Sequence, residues 1–132
     1  MEKDAIKAAV LKARTFKHDI DGRNFTIVLP TDHELQVAYL KAGGTQDISA
    51  WTVMTRRLLE GAIQGWANVK VDDLAGDGDK VAAEFHVELV PLLLDAHSDW
   101  TQELSSELTT RIAMKREGVE TAKKKSVTTS RG

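Results

Sequence analysis

The sequence predicts an α+β fold, predominantly α-helical, built as a single domain with one N-terminal β-hairpin. Two observations carry this. Phe16, His18 and Ile20, then Phe25, Ile27 and Leu29, alternate with polar or smaller residues on either side of a Gly-containing turn. After Pro30 the apolar spacing changes to three or four residues, the period of a helix with one buried face. A chain of 132 residues fits one domain and buries about two-thirds of its unfolded surface, so it needs no covalent staple. The domain is expected over residues 1–118, with a flexible polar and basic tail over 119–132.

Taken in order, Lys3 to Arg14 places Ile6, Val10 and Ala13 at helical spacing, an amphipathic helix with a thin apolar face. The hairpin follows at about 15–29, turning through Asp21-Gly22-Arg23-Asn24. Pro30 ends its second strand, and Thr31-Asp32-His33-Glu34 has the order of a capping box, so a helix from Asp32 to Lys41 is expected, stopped by Gly43-Gly44. Asp47 or Ser49 caps the strongest helix, to about Gln64, with Trp51, Met54, Leu58, Ala62 and Ile63 inward and Gly65-Trp66 at its close. Residues 69–83 read as a surface loop, because Asp72-Asp73 and Gly76-Asp77-Gly78-Asp79 favour turns. A helix begins near Val87, tolerates Pro91 in its first turn and reaches Ala96. In the last helix Trp100, Leu104, Leu108 and Ile112 recur every fourth residue. So narrow a stripe suits a helix docked along one edge, or one that also meets a partner chain. Trp51, Trp66 and Trp100 lie at or near apolar helical positions and are assigned to the core.

Several kinds of chemistry lose their support at this level. With no cysteine there is no disulfide framework, thiol nucleophile or Cys-based zinc site, which is consistent with a reducing cytoplasm. The four histidines never form the His-Glu-x-x-His spacing, and His86-Val87-Glu88 has no downstream cysteines. Asp72, Asp73, Asp77 and Asp79 lack the alternating ligand order of a calcium loop, and their carboxylates would repel a phosphate. Ser98, Ser105 and Ser106 have no Gly-x-Ser-x-Gly elbow around them. The expectation is a protein without catalytic, cofactor or metal site, and with a net charge of −2 it offers no overall field for nucleic acid. No apolar run approaches the length of a membrane span.

The stretch from Gly65 to Trp100 is the most distinctive. A helix ending in Gly65-Trp66, a Val-containing acidic and Gly-rich connector, a Phe85-x-x-Glu88-Leu89-x-x-Leu92-Leu93 helix start, a last helix and a Lys-rich end follow one another. This order resembles the tail assembly chaperones of long-tailed bacteriophages, over roughly Asp21 to Lys125. The resemblance implies a non-enzymatic protein of the infected host cytoplasm that binds the tape measure protein, recruits tail tube subunits and is not retained in the virion. It makes Trp100, Leu104, Leu108 and Ile112 candidates for partner binding or homo-oligomer contact. It also implies a longer product made by ribosomal frameshifting, for which the codons of Lys123, Lys124 and Lys125 could supply a slippery run of A.

Two other classes compete. A small DNA-associated regulator would use Arg111, Lys115, Arg116 and Lys123 to Lys125 against phosphates, although the chain is acidic overall and shows no helix-turn-helix spacing. A structural tail or head-completion protein would remain in the particle.

Overall fold

The computed structural model of the chain describes residues 2–41 and 48–131, with side chains over 2–41 and 52–115. The expected stop at Gly43-Gly44, the caps at Asp47 or Ser49 and the Trp51 ring fall outside what is described.

Helix α1 (Lys3–Arg14) leads directly into β1 (Thr15–Ile20), which turns into β2 (Arg23–Val28). The turn is tighter than the four residues expected. Asp21 and Gly22 alone occupy it, with φ of 49° and 85°, and Ile20 already pairs with Arg23. Two left-handed residues match the twist of the flanking strands, so Arg23 and Asn24 are released into β2. At the far end Arg14 donates from Nε and Nη2 to the Leu29 carbonyl at 2.9 and 2.6 Å, joining α1 to the exit of β2. The capping box forms as expected. The Thr31 N–H donates to the Glu34 carboxylate and the Glu34 N–H to the Thr31 hydroxyl, both at 3.1 Å, opening α2 (Asp32–Lys41).

Helix α3 spans Ile48–Ala62 and stops short of the predicted Gln64. Ile63–Ala67 is instead a third strand, β3, antiparallel to β2, giving the sheet order β1-β2-β3. Gly65-Trp66 therefore lies in a strand and does not close a helix. Its register shifts between Thr26 and Ile27, which breaks the clean alternation that marks a strand in sequence. Asn68, at φ 65°, ends the strand in the left-handed region that Asn tolerates.

The predicted loop is more structured than its composition suggests. Val69 is buried, α4 (Val71–Ala75) makes a short helix, and Lys70 bridges to Ala82. A 3-10 turn (Val87–Leu89) then feeds α5 (Val90–Ala96), with Pro91 in its first turn as expected. Helix α6 begins at Ser98, and its backbone stays helical past Gly118 to Arg131, through the segment read as a flexible tail. One glycine costs a helix only about 1 kcal/mol, and Glu, Ala and Lys around it are good helix formers.

The core joins one face of the sheet (Ile20, Phe25, Ile27) to Leu59, Ala62 and Ile63, to Val90, Leu93 and Leu94 of α5, and to Trp100, Leu104 and Leu108 of α6. Side chains of the hairpin also reach α6 directly. His18 Nε2 lies 2.8 Å from Glu103, the Arg111 guanidinium sits 4.4 Å from the Phe16 ring centre, and Phe25 meets Trp100 at 6.4 Å between ring centres.

Candidate partner-binding surface

The stripe singled out in the last helix is the inner face of α6. Trp100, Leu104 and Leu108 are buried, and Ile112 is half-buried against them. Trp100 and Leu104 are thus removed from any surface. Burial wins because α6 crosses the sheet and α3 together, which covers even a seam one residue wide. The other two members reach an edge. Leu108 and Ile112, with Leu35 and Tyr39 of α2 and Met54 and Leu58 of α3, line an apolar groove of about 520 Å³. Asp32, Gln36, Thr55 and Thr109 supply its polar margin. An apolar floor with polar rims, between helices, is the form that accepts an amphipathic helix.

Leu35, Tyr39, Met54 and Leu58 were not singled out as binding residues from sequence. The spacing of Leu35 and Tyr39, four apart in α2, was the available signal. Only the packing of α2 on α3 brings that pair beside α6. Lys123, Lys124 and Lys125 lie on the helical continuation of α6, beyond the described side chains.

A polar lock holds the opposite end of α6. Asp73 is the buried charge among the described residues, at 7% exposure. It takes two hydrogen bonds from Arg23, at 2.9 and 2.7 Å, and one from the Lys70 N–H at 2.9 Å. The Arg23 bonds lower the Asp73 pKa and hold the guanidinium charged, against the opposing effect of burial. Arg23 also lies 4.5 Å from the centre of the Trp100 ring, on which His97 stacks at 3.5 Å and 6°. The His97 Nε2 lies 2.6 Å from the Asp73 carbonyl. The lock joins the hairpin turn, α4 and the start of α6, and its groups satisfy one another, so its role is positional.

The residues of the Gly65–Leu93 pattern also meet in space. Trp66 is half-buried in β3, and its indole N–H donates to the Ala83 carbonyl at 2.8 Å. Its ring stands edge-on to Phe85 at 5.0 Å and to Phe25 at 6.5 Å between centres. Strand, connector and the entry to α5 are pinned through this one side chain. No group of His, Asp or Glu among the described residues is arranged to hold a metal ion, and no described helix is long and apolar enough to cross a membrane. Comparison with protein-family models, with curated proteins and with solved structures returns no match.

Proposed function

We propose that the chain is a phage tail assembly chaperone, a non-enzymatic protein of the infected host cytoplasm that binds the tape measure protein and recruits tail tube subunits. The observation that carries this reading is the order of residues from Gly65 through Phe85-x-x-Glu88-Leu89 to the last helix and its lysines. The Trp66–Phe85 contact gives that order a physical reason, since each half of the pattern completes the other's packing. The groove of Leu35, Tyr39, Met54, Leu58, Leu108 and Ile112 is the surface we assign to the client, on the expectation that a tape measure protein is largely helical.

Co-expression tests it. Leu35→Glu with Tyr39→Glu changes the groove wall on α2, where neither residue is fully buried. The client should stay soluble with the wild-type chain and precipitate with this variant, whose folding is checked by circular dichroism. A client that stays soluble with the folded variant removes the groove from the proposal. One that precipitates even with wild type and any extended form together removes the chaperone assignment. Leu104→Glu with Leu108→Glu, the substitutions that the sequence pattern alone suggests, would bury two charges and unfold the domain.

A further inference from the structure

Helix α1 leaves its apolar side uncovered. None of its residues is buried, and Ile6 and Val10 stand 48% and 52% exposed. With about 3.6 residues per turn, Ile6, Ala9, Val10 and Ala13 form one strip roughly 100° wide. Lys3 and Lys7 border it beyond Val10, Lys12 borders it on the other margin beyond Ala5, and Asp4 lies on the opposite side of the helix. None of these three lysines has an ion-pair partner among the described residues. The domain grips α1 elsewhere. Arg14 donates to the Leu29 carbonyl and to Glu34, and Leu11 lines a cleft with Arg14, Val28 and Pro30. Both anchors project away from Ala9 and Ala13, so the strip is turned outward.

An isolated helix of twelve residues is marginal in water, so a surface that covers the strip would also hold α1 in shape. That surface must meet apolar side chains and flanking cations together. A nucleic acid would take the lysines and leave Ile6 and Val10 in water. A closed apolar groove would take Ile6 and Val10 but strip water from the lysines. The boundary layer of an anionic bilayer accepts both, because lysine stems run along the apolar zone while their ammonium groups stay among the headgroups. The local charge has the sign this needs: residues 1–14 carry four basic to two acidic side chains, although the whole chain is acidic. Lys115 adds to it, one turn past the Arg111 that sits over Phe16 beside the end of α1.

We infer that α1 is an interfacial helix that lays Ile6, Ala9, Val10 and Ala13 on an anionic lipid surface, with Lys3, Lys7 and Lys12 among the headgroups. The chain then rests on the membrane without crossing it. Four small apolar side chains insert weakly by themselves, so attachment depends on charge and is reversible. No residue of α1 lines the groove assigned to the client, which stays open when α1 is on lipid.

Flotation of the full chain tests this with vesicles of equal parts phosphatidylglycerol and phosphatidylcholine, and with phosphatidylcholine alone, at about 0.05 M and about 0.5 M salt. Wild type should float with the anionic vesicles at low salt, bind about tenfold more weakly or less at high salt, and stay off the neutral vesicles. Ile6→Gln with Val10→Gln should abolish flotation, and so should Lys3→Glu with Lys7→Glu. All four positions are exposed, so thermal unfolding of both variants should match wild type. Val81→Gln, at a residue 63% exposed on another surface, should float as wild type does. Because the chain has no cysteine, an environment-sensitive dye on Ala9→Cys reports contact with lipid directly, and its emission should move to the blue on anionic vesicles. Wild type that ignores anionic vesicles overturns the inference, as does binding that survives both α1 variants, equal binding to neutral vesicles, or a dye whose emission stays that of water. Vesicles ignored while Lys3 and Lys7 retain arbitrary duplex or a second copy would likewise overturn it, and would assign the strip to that partner. A chain that keeps its client soluble without touching lipid defeats only this inference, and one that floats but leaves the client insoluble defeats only the proposed function.

Discussion

At the scale of single residues, Asp73 ties most together. It was read in sequence as one of four turn-forming acids, yet it is buried against Arg23 while Asp77 and Asp79 stay exposed. Nothing local distinguishes them, because the partner lies fifty positions away. Its lowered pKa sets the sign of a pH effect. A carboxylate held below its unfolded value of about 3.9 contributes stability that is complete above that value and is lost as pH falls through the folded one. Asp73→Asn should cost about 1–3 kcal/mol at pH 7 in urea unfolding, with the gap to wild type narrowing below about pH 4. A gap that stays constant into acid would show that the charge of Asp73 is not what the lock uses. Trp66 was legible as a structural residue but not as a strand residue. Its half-buried ring and satisfied indole identify it as a clamp at the edge of the core.

Among the elements, the hairpin, α2 and α5 were read nearly to their ends because each carries its own punctuation: Asp21-Gly22, the Thr31–Glu34 box and Pro91. Strand β3 had no such mark. Its five residues follow α3 without a linker and owe their conformation to β2, a long-range pairing that a local pattern does not encode. The helices also differ in what they contribute. Leu104→Ala should cost about 2–5 kcal/mol, since the side chain is fully buried where α6 meets the core. Deleting residues 2–10 should change stability by no more than about 0.5 kcal/mol, because no side chain there is buried. Thermal unfolding of the two proteins checks both, and a large loss on truncation would give α1 a packing role.

For the whole molecule, expression offers a test independent of purified protein. Synonymous recoding of Lys123, Lys124 and Lys125 should abolish a minor longer product on a blot against the N-terminal domain. A single product before and after recoding would sink frameshifting while leaving the folded domain's role open to the co-expression test. Composition and periodicity were sufficient for the α+β class, the hairpin, most helices and the apolar identity of the Trp100–Ile112 stripe, because turn chemistry, capping and amphipathic spacing act over a few residues. Which way that stripe faces was decided only in three dimensions. The same is true of the third strand, of the groove between α2, α3 and α6 and of the buried partner of Arg23. Each depends on segments far apart in sequence meeting across the core, and such contacts are set by the packing of the whole chain rather than by any window of it.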